Sequence, residues 1–184
     1  MTSTDDKAGN SSGYRIQFKT ISALPVGSYF RLTVPGSNFS ISTSPTCSFY
    51  LVNGSLPTGT LACAAADSKI TFKGMTVALA AGTFVGLQVS ITNPTYSYTP
   101  GKFIIETLRK DTQYVYDQRY IDGILVAPGP ITDISLLALD SSITIVKRKD
   151  MWLKLSFKPK NSIPAGGKIM LTFPSLFSIV VNEF

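Results

Sequence analysis

The stretch Tyr14–Phe39, YRIQFKTISALPVGSYFRLTVPGSNF, returns in outline at Leu153–Ser178, LKLSFKPKNSIPAGGKIMLTFPSLFS. The offset is 139 residues throughout, and no gap is needed. Phe18 matches Phe157, Lys19 matches Lys158, Pro25 matches Pro164 and Gly27 matches Gly166. Leu32-Thr33 matches Leu171-Thr172, and Pro35 matches Pro174. Apolar character agrees at Ile16 and Leu155, Leu24 and Ile163, Val34 and Phe173. A repeat of this period means an array of similar units along one chain. The expected organisation is one full unit over 1–127, a short stiff linker Pro128-Gly129-Pro130, and the opening strands of a second unit over 131–184.

Within the first unit the apolar period is two, not 3.6. Tyr14, Ile16 and Phe18 alternate with Arg15, Gln17 and Lys19, which is a half-buried strand. Tyr29–Val34 alternates again and stops at Pro35-Gly36, with Pro25 and Gly27 in the turn before it. Further strands are expected at Ser48–Val52, Leu61–Ala65, Ile70–Phe72, Thr83–Thr92, Phe103–Leu108, Gln113–Tyr116 and Tyr120–Ala127. After the linker, strands are expected at Ile131–Leu139, Ile143–Val146, Trp152–Lys158, Lys168–Phe173 and Phe177–Val181. Only Ala62–Ala66 and Met75–Ala81 tolerate helix. Short strands at this spacing predict an all-β, Ig-like antiparallel β-sandwich in tandem repeats. The Cys…Trp…Cys spacing of true immunoglobulin domains is absent, so Ig-like describes the architecture alone.

Composition excludes several classes. A hydrophobic share of 44% rules out a disordered chain, and 14 Gly with 11 Pro suit strands joined by turns. No run approaches the roughly 18 apolar residues of a membrane span. The net charge of +6 is dispersed, with one basic run at Lys147-Arg148-Lys149. A nucleic-acid surface needs denser clustering, so none is expected.

The chain has no histidine, which removes Ser-His-Asp and Cys-His catalysis and histidine-ligated metals. Carboxylates are the remaining catalytic option. Glutamate occurs only at Glu106 and Glu183, and Asp111, Asp117 and Asp122 cluster around a predicted hairpin without the spacing of a calcium loop. Turn and edge polarity accounts for these aspartates, and no enzyme, metal or cofactor is expected.

Cys47 and Cys63 each border a short predicted strand. A bridge between them is expected, the alternative being two buried thiols. Sequons stand at Asn10, Asn38 and Asn53, whereas Pro94 disqualifies Asn93. The cysteine pair and sequons together predict an exported protein carrying N-linked glycans. Tyr96, Tyr98, Tyr114, Tyr116 and Tyr120 fall in neighbouring segments. Such rings stack on sugars, or else pack on a sheet face or a neighbouring domain.

The sequence Tyr14–Phe18, Leu24–Ser28, Leu32–Pro35, the Cys47/Cys63 pair, Ile91–Pro94 and Gly101–Phe103 resembles tandem repeats of protist surface proteins. It is also similar to the tandem Ig-like subunits of glycosylated extracellular fibrils. The resemblance implies architecture and an extracellular or cell-surface location.

The first unit has no counterpart of the apolar run Ile131–Leu139, and residues 2–13 are small and polar. A sandwich lacking a strand exposes an edge, which a neighbouring repeat or a donated strand covers. The expected function is therefore structural. The chain is read as a subunit of an extracellular filament, stalk or surface coat, with itself as partner. The alternative is an adhesive or glycan-binding module using Tyr96, Tyr98, Tyr114 and Tyr116.

Overall fold

The computed structural model describes residues 1–49, 61–110, 114–138, 153–161, 163 and 165–175. Among the described residues every regular element is a strand and every ladder is antiparallel. The strands are β1 (Thr2–Ser3), β2 (Ser11–Lys19), β3 (Tyr29–Thr33), β4 (Cys47–Phe49), β5 (Ala62–Ala66), β6 (Lys69–Lys73), β7 (Phe84–Thr92), β8 (Lys102–Leu108), β9 (Val115–Asp122), β10 (Ile131–Ala138) and β11 (Leu153–Pro159).

One sheet has the order β1-β2-β7-β4 and the second β5-β6-β3-β8-β9. Their inner faces share one core. Tyr14, Ile16 and Phe18 from β2 and Val85, Leu87, Val89 and Ile91 from β7 meet Phe30, Leu32, Ile70, Phe72, Phe103 and Ile105. The rings interlock edge to face, as in Phe18 on Phe30 at 5.7 Å. This geometry suits the ring quadrupoles. The longest ladder, β2 on β7, runs without a slip from Ser11↔Thr92 to Lys19↔Phe84. Period-two burial along β2 is what holds that register, since a slip by one would turn every core residue to solvent.

Residues 2–13 do more than their polarity suggests. Thr2 and Ser3 pair with Arg15 and Tyr14 near the middle of β2, and Ser11–Gly13 form the start of β2 itself. Asn93 is the clasp for this segment. Its amide nitrogen donates to the Asp5 and Lys7 carbonyls (3.1 and 2.9 Å), and its oxygen accepts the Tyr14 hydroxyl. Ala8 and Ala127 close the hook, the Ala8 N–H donating to the Ala127 carbonyl at 2.8 Å.

Several strand expectations change. Val115 and Tyr116 of the strand expected at Gln113–Tyr116 and the start of Tyr120–Ala127 merge into β9, because β8 offers partners along its whole length, and Gln113 lies outside the described residues. Beyond Asp122 the chain leaves the sheet at Gly123, which lies so close to Pro100 that a side chain has no room. Val126 then bridges Tyr98, and Ala127 bridges Lys7. Ala62–Ala66 is strand, and Met75–Ala81 is irregular with a bridge from Leu79 to Leu24. Lys168–Phe173 forms no strand. Its counterpart β3 lies between β6 and β8, and no ladder flanks 168–173 among the described residues. The strands expected at Ile143–Val146 and Phe177–Val181, Asp111, Glu183, the basic run at Lys147 and the end of Ser48–Val52 lie outside the described residues.

β10 and β11 form a separate two-stranded sheet. Thr132 faces Lys158, Leu136 faces Leu155, and the register shifts between Thr132 and Ser135, where Asp133 takes a φ of 54°. At its base the Lys160 N–H donates to the Pro130 carbonyl (3.3 Å), and the Asn161 amide reaches the Ala8 carbonyl (3.3 Å).

Candidate interaction surface

Cys47 and Cys63 are joined by a disulfide. It connects β4, at the edge of one sheet, to β5, at the edge of the other. The bridge thus fastens the two sheets along one side of the sandwich.

The sequons fall in different settings. Asn38 is exposed in the turn after β3, with its side chain in solvent. Asn10 is half-buried in the N-terminal hook, where its amide donates to the Asp5 carboxylate. That bond, after the Lys7 N–H, holds the Asp5 carboxyl below its usual range. Asn53 lies outside the described residues.

The tyrosines also divide. Tyr98 is partly buried on Phe39 at 6.1 Å and pairs through its backbone with Val126, so it belongs to the core margin. Tyr96 stands exposed against it. Tyr114, Tyr116 and Tyr120 are all exposed at or on β9. The ladder slips at Tyr116, where Thr107↔Asp117 is followed by Leu108↔Val115. The extra residue interrupts the alternation that puts Tyr114 and Tyr116 on one face.

The carboxylates are used locally. Asp117 accepts the Ile21 N–H (3.0 Å), the Ser22 N–H (3.2 Å) and the Ser22 hydroxyl (2.7 Å), which caps the end of β2. Asp122 lies 3.9 Å from Lys102 in solvent. Glu106 accepts Arg31 at 2.7 Å and Gln118 at 3.0 Å, a cross-strand trio over β3, β8 and β9. Sequence reasoning missed Asn93 as a structural residue, because Pro94 removed it only as a glycan site. Its place at the end of the longest alternating strand was the available signal.

Clefts indent the sandwich among the described residues. One of about 530 Å³ is lined by Gly27, Tyr29, Arg31, Thr71, Lys73, Gly74, Met75 and Lys110. Arg31 is already held by Glu106, and Lys73 and Lys110 are exposed. Another, about 250 Å³, lies between β2 and β8–β9, with Phe18, Ile105 and Thr107 beside Lys19, Ile21, Asp117, Gln118 and Arg119.

The smaller cleft borders an unfilled stretch of sheet edge. The Thr20 N–H donates to Thr83 on the β7 side (3.0 Å), and the Gly13 carbonyl accepts the Thr4 N–H on the opposite side (3.1 Å). Alternation therefore turns the peptide groups of Gln17 and Lys19 away from β7. β1 reaches only Tyr14 and Arg15. Gln17 and Lys19 face no strand among the described residues, and the Asp117 cap bounds the gap at Ile21. No helix among the described residues is long and apolar enough to cross a membrane.

No family model, no curated protein and no solved structure matches this chain.

Proposed function

We propose that this chain is a structural unit of an extracellular assembly, an Ig-like sandwich that joins its neighbours end to end in a filament, stalk or coat. One observation carries the reading. β10 exposes Ile131, Ile134, Leu136 and Leu137, and the matched stretch after β11 exposes Ile169, Met170 and Leu171. Exposed apolar side chains in this number suit a contact surface. The sheet orders β1-β2-β7-β4 and β5-β6-β3-β8-β9 support the Ig-like assignment, with the β5–β6 hairpin as an addition beside β3. The Cys47–Cys63 bridge suits an oxidising compartment. Exposed Asn38 is the favoured glycan acceptor. Contacts between unlike surfaces do not close, so they build open fibres.

Electron microscopy of the protein secreted from eukaryotic cells, with peptide mapping of Asn38, tests this. Linear polymers with sugar on Asn38 are expected. A monodisperse monomer with unmodified asparagines refutes it.

The exposed rings of Tyr114, Tyr116 and Tyr120 favour a second reading, adhesion to glycans. In that case Tyr120→Ala abolishes glycan-array signal without lowering Tm. The absence of any array signal from the unaltered chain removes this reading.

A further inference from the structure

We infer that β10 of one copy adds to the open edge of β2 in a second copy, in the register β10 now keeps with β11. The inference rests on the filament reading and specifies its joint.

The register follows from the sequence match. β11 repeats β2 at the offset of 139, so Lys158 stands for Lys19 and Ser156 for Gln17. β10 pairs Thr132 with Lys158 and Ser135 with Ser156. Transferred to β2, Thr132 faces Lys19 and Ser135 faces Gln17, the two residues whose peptide groups look out on the gap. The ends fit as well. Leu137 and Ala138 pair with Lys154 and Leu153, the counterparts of Arg15 and Tyr14, which β1 already occupies. At the other end the Pro130 carbonyl holds the N–H of Lys160, and the matching N–H, that of Ile21, is held by Asp117. The vacant length thus corresponds to Ile131–Leu136.

The side chains fit the same placement. Pairing with the inward positions of β2 sets Ile131 and Leu136 on the core side, and the bulge sets Ile134 opposite Phe18. Thr132 and Ser135 point outward. In β10 as it stands, Ile131, Ile134 and Leu136 are 54%, 65% and 56% exposed. On β2 they adjoin the cleft floored by Phe18 and Ile105. Lys19 and Arg119 of that cleft complement Asp133 in the bulge. Leaving β11 costs little, because a two-stranded sheet is marginal alone. Exchange of one element between copies is a familiar low-cost route to assembly.

The unaltered chain keeps no free thiol, so single cysteines report contacts cleanly. Four variants of the full chain, Gln17→Cys, Lys19→Cys, Thr132→Cys and Ser135→Cys, are mixed in pairs and oxidised. Mixed dimers are expected for Lys19→Cys with Thr132→Cys and for Gln17→Cys with Ser135→Cys. The pairs Gln17→Cys with Thr132→Cys and Lys19→Cys with Ser135→Cys are expected to stay at background. Equal yields in all four mixtures, no mixed dimers, or cross-links mapped to a segment other than β10 overturn the inference. Adding Gln17→Pro to the Lys19→Cys partner is expected to abolish its cross-link while the β2–β7 ladder survives, since the Gln17 N–H faces away from β7. Its retention in a folded variant also overturns the inference, and if that variant does not fold the four-way comparison decides. Filaments without the in-register cross-links reject this joint and leave the filament reading standing. In-register dimers without filaments do the reverse.

Discussion

Leu32 and Leu171 occupy the same position in the two matched stretches, yet Leu32 is fully enclosed and Leu171 is 52% exposed. The local chemistry around them is alike. Gly27 and Gly166 both take a left-handed φ, 82° and 78°, so a glycine of the same conformation precedes each leucine. Both stretches also open with a strand, β2 and β11. They part after the turn. In the first, β6 and β8 flank the residues that follow and make them β3. In the second, 168–173 stays irregular. Turn chemistry is local, and a glycine supplies it anywhere. A strand is a relation between segments, and without ladder partners its residues have no reason to stay extended.

The largest expected effect sets these two leucines against each other. Leu32→Ala leaves a cavity in the core and is expected to cost about 2–5 kcal/mol in urea unfolding. Leu171→Ala is expected to stay within about 0.5 kcal/mol, as at other exposed sites. Similar costs at both positions would mean that the second stretch is packed in solution, and the contrast would fail.

The next effect concerns covalent fastening, which only the first region has. Cys47→Ser with Cys63→Ser is expected to cost about 3 kcal/mol, the chain-entropy value for a closed loop of this size. The β10–β11 ladder should be unaffected, and amide exchange at β11 checks that.

Tyr14 comes third, with Leu153 as its counterpart. Burial pushes the Tyr14 phenol up to about 12 from an ordinary value of 10.0. A raised pKa favours the neutral form in the fold. Its contribution is therefore complete below pH 10 and disappears as pH rises through 12. The difference corresponds to about 2–3 kcal/mol. Tyr14→Phe is expected to cost about 1–3 kcal/mol at neutral pH, because Asn93 loses a donor. It should also flatten the alkaline decline, which pH-dependent Tm measurements read directly.

The smallest effect lies where the two regions meet. The Asp5 carboxyl is held low first by the Lys7 N–H, then by Asn10, with Lys160 of the second region assisting. A depressed pKa contributes above the ordinary value of 3.8 and is lost as pH falls below it. Amide exchange at Lys7 is expected to quicken in that acid range. Asp5→Asn should abolish the pH dependence without changing exchange at β3.

Much of the all-β fold was legible in the sequence. Alternation located β2, β3 and β7 because one face of each had to be apolar, and a hairpin pattern located β8. Less was legible where the signal was not a period. Residues 2–13 read only as small and polar, yet they form a hook because Asn93 bonds two of their carbonyls from the far end of β7. Gln113–Tyr116 and Tyr120–Ala127 read as two strands, because nothing in their spacing records the bulge at Tyr116. The candidate surface was legible only in part. The cysteine pair and the sequons are countable, whereas the cleft beside Phe18 arises from β2 and β8–β9 meeting across the sandwich.

The sequence by itself determined the strand period, the turn glycines and the matching of two stretches, because each is a property of residues close together along the chain. Only the tertiary structure decided that the first matched stretch pairs into the sandwich, that 168–173 has no ladder among the described residues, and where the edge of β2 stays open. Those outcomes depend on hydrogen-bond partners and core neighbours that lie tens of residues away. The gap beside Gln17 and Lys19 has no sequence of its own. It is defined by what pairs with β11 and does not pair with β2.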